Sequence, residues 1–306
     1  MNSPMQDARM RWSGEATMSL SDTDFATLAA LIHRETGIVI GETKRSMLIS
    51  RLTRRLRQLM LPGFTAYIRL VTSPEGEEER SALISAITTN VTGFYREPHH
   101  FESLVRMAPD LLACAKSGNR VRLWSAGCST GQEACSIAAA LLDAIPDFSR
   151  QDVLILATDI DPKVIEQARS GEYDRGLLGD APPLALRNCI EDGSVPGRFA
   201  TVPALRDLIR FEVLNLLGPW PFQGSFDVIF CRNVFIYFDD ETRRRLLMRF
   251  AARLRAGGTL FLGHSERLDV ALEPYFDSVG WTEYRRSGRT ITDTDLLSGL
   301  QHDGRN

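Results

Sequence analysis

The sequence predicts a doubly wound parallel α/β sheet with a small antiparallel β-subdomain, preceded by an all-α N-terminal domain. Three observations point there. Apolar residues recur at helical spacing through the first quarter of the chain. From Val121 onward, short β-branched and aromatic runs alternate with helix patterns, the signature of parallel strands joined by crossovers. The first of those runs ends in Gly127-Cys128-Ser129-Thr130-Gly131, a stretch of small residues that opens a helix.

Taken in order, Ser21 or Asp22 caps a helix running to Thr36, and Gly37 ends it. A second helix is expected over residues 44–60, stopping before Pro62-Gly63, with two more near 64–71 and 77–88. Pro98 suits the first turn of a helix toward Cys114, because a missing N–H costs nothing there. Strands are expected at 121–125, 153–158, 226–231 and 259–263, with helices starting near Gln132, Pro162 and Asp239. Residues 197–213 read as short strands around Pro203 in an antiparallel insertion spanning about 172–213. Residues 275–286, with Gly280 in the middle, read as a closing hairpin. The expected division is a mobile leader at 1–18, a helical domain at 19–92, a catalytic domain at 93–286 and a disordered polar tail at 287–306.

Composition narrows the function classes. A chain of 306 residues, 43% hydrophobic and 25% charged, can build one large or two modest cores. The formal net charge of −3 argues against broad nucleic-acid binding. The five cysteines form no C-x-x-C pair, so neither a zinc cluster nor a disulfide framework is supported, and a reducing cytoplasm is the expected setting. No stretch approaches the ~20 apolar residues of a membrane span, and the first 18 residues lack the apolar core of a secretory signal.

The turn after the first strand carries the chemistry. Its spacing is Gly127-x-x-x-Gly131, not the G-x-G-x-x-G that seats a pyrophosphate on a helix N-terminus. Glu133 follows two residues later, and Asp159 ends the neighbouring strand in Ala157-Thr158-Asp159-Ile160-Asp161. Two carboxylates would repel a dinucleotide's phosphates. They suit S-adenosylmethionine, which offers a ribose diol, an ammonium and a sulfonium. Over 44–60, Lys44, Arg45, Arg51, Arg54, Arg55 and Arg57 meet no acid, while Leu48, Leu52, Leu56 and Leu59 form an inward stripe. That basic face is either solvated surface or a dock for an acidic helix or a nucleic-acid backbone.

Six ordered motifs now make a resemblance specific. They are Thr89-Asn90-Val91-Thr92-Gly93-Phe94-Tyr95-Arg96-Glu97, the run from Leu123 to Glu133, the Ala157 to Asp161 segment, Asn215-Leu216, the stretch from Phe230 to Phe238, and Phe261-Leu262-Gly263-His264-Ser265-Glu266. Over residues 20–285 the chain resembles the CheR chemotaxis methyltransferases, departing at Cys135, where an aromatic residue is expected. The resemblance implies an S-adenosylmethionine-dependent protein-glutamate O-methyltransferase acting on chemoreceptor helices, with no metal. Carried over by position, Asn90, Thr92, Arg96, Glu133, Asp159, Asn215, Leu216, Arg232 and Asn233 line the cofactor. Arg96 and Tyr237 serve the chemistry, and Arg51, Arg54 and Arg55 dock the substrate.

The same resemblance implies a monomer recruited to membrane-bound receptor arrays, binding no nucleic acid and inserting no segment into the membrane. The β-subdomain resembles one that in some members grips a receptor C-terminal tether peptide. A glutamate is already anionic at neutral pH, with an ordinary pKa near ~4.3, so no general base is required. His99 and His100 therefore read as first-turn packing residues, and Cys231 as a buried strand-end thiol. The competing classes are a nucleic-acid methyltransferase and a non-catalytic S-adenosylmethionine-binding regulator.

Overall fold

The computed structural model describes residues 19–179, 182–292 and 295; the expected leader and most of the expected tail lie outside them. Contacts divide the described residues into two units, one running up to Leu31 and over Ile40–Ile87, the other over Ile32–Val39 and from Thr88 onward. The boundary at Ile87/Thr88 falls five residues before the expected one.

Helix α1 (Asp22–Thr36), of which the residues up to Leu31 belong to the first unit, begins on acids that favour a helix N-terminus. It is followed by α2 (Arg45–Gln58), α3 (Phe64–Thr72) and α4 (Glu77–Ile87). Helix α2 buries Leu48, Leu52 and Leu56 at four-residue spacing, while α3 buries Phe64, Tyr67, Ile68 and Val71. Leu83 and Ile87 of α4, which packs against both α2 and α3, are buried as well.

The second unit opens with α5 (Pro98–Lys116), which Pro98 starts as expected. Then come β1 (Val121–Ala126), α6 (Gln132–Ala144), β2 (Val153–Asp159) and α7 (Pro162–Ser170). A short stretch holds β3 (Glu172–Asp174), α8 (Leu184–Arg187), β4 (Ile190–Asp192), β5 (Arg198–Thr201), α9 (Pro203–Arg206) and β6 (Ile209–Val213). The unit closes with β7 (Phe226–Cys231), α10 (Asp240–Arg253), β8 (Leu254–Leu262), β9 (Phe276–Gly280) and β10 (Glu283–Arg286). The main sheet has seven strands in the order β6-β2-β1-β7-β8-β10-β9; the first five are parallel, and the β9–β10 hairpin is antiparallel.

Strand β1 shows how the sheet is buried on both faces. Val121 and Leu123 enter the apolar cluster that holds α5 and α6, whereas Trp124 and Ala126 enter the cluster that holds α10. Trp124 is fully buried among Trp220, Phe222, Phe226 and Phe250, and its indole N–H donates to Thr158 Oγ1 at 2.9 Å.

Two expectations are corrected. The antiparallel insertion is the three-stranded sheet β3-β5-β4, whereas residues 209–213 form a parallel edge strand of the main sheet on β2. Pro203 starts a helical turn that carries the chain back to that edge, and a half-exposed edge strand has the same alternating pattern in either sheet. Strand β8 starts at Leu254, five residues before the expected start; its register against β7 jumps from Phe226↔Leu254 to Val228↔Thr259, and Gly257 within that irregularity has φ +78°.

Candidate functional site

The carboxyl ends of the parallel strands gather most of the expected residues. Beyond Ala126 the N–H groups of Gly127 and Cys128 both donate to Thr158 O, at 2.8 and 2.9 Å, folding the loop over the end of β2. Gly127 has φ +89°, and a Cβ there would lie 2.4 Å from Val234 Cγ2. Gly131 has φ +93°, and its Cβ would lie 2.9 Å from both Ala168 Cβ and Tyr173 Oη. Only glycine meets both demands.

Ser129, itself at φ 50°, aims its N–H at Asp159 Oδ2, 2.9 Å away, while Asp159 Oδ1 accepts from Asp161 N at 3.0 Å. Burial raises the Asp159 pKa more than these backbone donors lower it. Asp161 caps α7 through Lys163 N, and its other oxygen accepts from Asn90 Nδ2 at 3.2 Å. Ser129 Oγ donates to Asn90 O at 3.1 Å. Asn90 is thus fastened beside Asp159 by two residues not singled out from the sequence, although an Asp before Pro162 is a readable cap signal.

A second network surrounds Arg232, whose side chain is only 2% exposed. Its guanidinium pairs with Glu133 at 3.3 Å and Glu97 at 3.5 Å, donates to Arg96 O, and lies 5.6 Å from the centre of the Phe101 ring. Glu133 also accepts from Ser125 Oγ at 2.7 Å; burial outweighs Arg232 and raises its pKa. At Glu97 burial also disfavours ionisation, but there Arg232 and His264 prevail and hold the carboxyl below its ordinary range. Tyr95 at φ 50° and Glu97 at φ 58° flank Arg96 in the left-handed region, each at a cost of about 1–2 kcal/mol. Arg96 is half-exposed, donates to Val91 O at 3.1 Å, and contributes to the field at Glu133.

Glu266 ties the loops after β7 and β8 together by accepting from Gly263 N at 2.6 Å, Phe235 N at 2.8 Å and Asn233 N at 3.0 Å. Thr92 and Tyr237 are half-buried, and Leu216 is 8% exposed. The amide of Asn215, expected at the cofactor, donates to Glu35 O at 2.7 Å and accepts from Leu217 N at 2.9 Å. His100 is wholly buried with Nε2 2.9 Å from Thr282 Oγ1, and Cys231 is wholly buried, both as packing residues. Ligand atoms of Glu97, His99 and His100 lie within 4.8 Å of one another, but Arg232 beside the same carboxylate opposes a cation there.

The basic face of α2 is less uniform than its sequence. Arg55 forms a forked pair with buried Glu79, 2.6 Å at closest, and Arg51 donates to Ile87 O at 2.8 Å on the last turn of α4. Arg54 and Arg57 are exposed. Two of the three expected docking arginines therefore hold their own unit together.

A parallel sheet whose glycine-opened turn faces two fixed carboxylates has the arrangement of a nucleoside-cofactor site. The family profile "CheR methyltransferase, SAM binding domain" matches residues 90–285, and "CheR methyltransferase, all-alpha domain" matches residues 23–88. The chain is 46% identical over 258 residues to a probable chemotaxis protein methyltransferase of Rhizobium etli, covering 83% of this chain and 96% of that one. It is 39% identical to the chemotaxis protein methyltransferase of Escherichia coli K12, covering 88% and 93%. A solved magnesium protoporphyrin IX methyltransferase from Synechocystis with bound S-adenosylmethionine aligns over 77% of this chain and 94% of that one, at 14% identity and a TM-score of 0.32, too distant to add to the argument. The chain belongs to the CheR methyltransferase family and is an S-adenosylmethionine-dependent chemotaxis methyltransferase.

Proposed function

We propose that the chain esterifies glutamate side chains on the cytoplasmic helices of chemoreceptors, giving glutamate methyl esters and S-adenosylhomocysteine in chemosensory adaptation. The observation that carries this reading is Arg96: a half-exposed guanidinium on a left-handed turn, anchored through its carbonyl by buried Arg232 and close enough to Glu133 to shift it.

The residues suit the cofactor. Gly127 and Gly131 leave room for close backbone approach, Asp159 is presented to accept from ribose hydroxyls, and Glu133 offsets positive charge. When bound, S-adenosylmethionine supplies an electrophilic methyl group. Asn90, Thr92, Leu216, Arg232 and Asn233 complete its surroundings, and Asn215 contributes by shaping the turn before Leu216. Arg96 grips one oxygen of the incoming carboxylate and leaves the other free, because a fully paired carboxylate is a poorer nucleophile. Tyr237 orients the acceptor. In-line placement with water excluded is worth up to roughly 7–11 kcal/mol, and no proton need be moved.

Exposed Arg54 and Arg57 give α2 a surface for an acidic receptor helix. We read the protein as a monomer recruited to receptor arrays, with β3-β5-β4 offering edges on which a tether peptide could add a strand. Among the described residues no helix is long and apolar enough to cross a membrane. Incubation with methyl-labelled S-adenosylmethionine and receptor-bearing membranes should label protein, and mild alkali should release the label as methanol. Label that resists alkali, or that enters nucleic acid instead, would reject the ester reading.

A further inference from the structure

A cavity of about 470 Å³ lies within the second unit, lined by His33, Arg34, Leu217, Arg245 and Arg249 among others, and no carboxylate lines it. The acids nearby are already committed. Asp239 holds His33 at 2.8 Å, and Glu35 holds Arg34 at 2.9 Å. The Arg245 side chain makes no hydrogen bond or ion pair with any described residue, although Glu241 stands one turn before it on α10. Arg249 is committed to the chain: it donates to Leu216 O and Gly218 O, each at 2.6 Å, and lies 4.0 Å from the centre of the Trp220 ring. Arg245, Arg249 and Arg253 recur every four residues on α10, a spacing at which like charges repel. Burial first, then Arg245 and Arg253, bring the Arg249 pKa down to about 10. Among the basic groups lining this cavity, the charge of Arg245 is therefore left without a hydrogen-bonded acid, while Arg34 keeps most of its surface open beside Glu35.

We propose that this cavity binds a small organic phosphate through Arg34 and Arg245, and that its occupation alters cofactor affinity through Arg249, which holds the turn carrying Leu216. The volume falls within the ~300–1,000 Å³ typical of small-molecule sites, and the guanidinium fork matches phosphate oxygens. The coupling rests on the reading that Leu216 borders the cofactor; binding at the cavity does not.

The test uses the full chain, with thermal unfolding and S-adenosylhomocysteine calorimetry in the presence of pyrophosphate, ribose 5-phosphate, citrate, or chloride at matched ionic strength. Either phosphate should raise the melting temperature and shift the S-adenosylhomocysteine Kd at least threefold, and citrate should do neither. Arg245→Glu should lose both effects while keeping the wild-type Kd without anion, and exposed Arg34→Ala should weaken both. Equal effects of citrate or chloride, or persistence in Arg245→Glu, would overturn the site. A melting shift without a Kd shift would overturn the coupling. Failure of the wild type to bind S-adenosylhomocysteine would count against the methyltransferase reading, while the melting data still decide the site.

Discussion

At the scale of residues, a few fixed charges carry the chemistry. Arg96→Ala should lower turnover at least 100-fold, about 2.7 kcal/mol at the transition state, in a fold that still melts cooperatively; wild-type rates would remove it from the chemistry. Glu97 was unassigned from the sequence because its partners, Arg232 and His264, lie more than a hundred residues away. His100 makes a pH prediction. Burial first, then Arg232 and His99, lower its pKa from 6.5 to about 3, so the folded chain keeps it neutral while the unfolded chain protonates it. The unfolded state thus binds more protons below 6.5, and stability falls as pH drops from about 6.5 toward 3. Urea midpoints at pH 7 and pH 5 should differ in the wild type by the equivalent of up to about 2 kcal/mol, and by clearly less in His100→Gln. An unchanged difference would place the sensitivity elsewhere.

At the scale of elements, local signals were legible where one short stretch carried the reason. Capping acids, Pro98, Pro162 and the glycine turn located helices and the cofactor loop because each acts over a few residues. Pairing was legible only in part: Ile209–Val213 joins β2, some fifty residues upstream, and nothing within the segment says which sheet it enters. Gly127→Ala should weaken S-adenosylhomocysteine binding at least tenfold, since the new Cβ must both displace Val234 and hold φ +89°. Unchanged affinity would mean that the loop rearranges without cost. The arginines of α2 should separate into two groups. Arg54→Glu with Arg57→Glu should raise the receptor KM and leave the melting temperature within a degree or two. Arg55→Glu should cost roughly 2 kcal/mol of stability by stranding buried Glu79. Identical behaviour of the two variants in melting would contradict this division.

At the scale of the whole molecule, fold class and family were legible because six motifs recur in order, and order survives where any single Asn or Gly is ambiguous. What could not be read was the wiring beneath them. Asn90 depends on Asp161 and Ser129, the loops after β7 and β8 depend on Glu266, and the turn at Leu216 depends on Arg249. These bonds join segments that only the folded sheet brings together. The most direct measurement is peptide mapping by mass spectrometry of a purified receptor cytoplasmic fragment after turnover with the full chain. The account predicts a gain of one methyl group on glutamate residues of the receptor helices, lost on mild alkaline treatment and missing with Arg96→Ala. Methylation confined to lysine, arginine or the N-terminus, or equal modification by the Arg96→Ala variant, would contradict it.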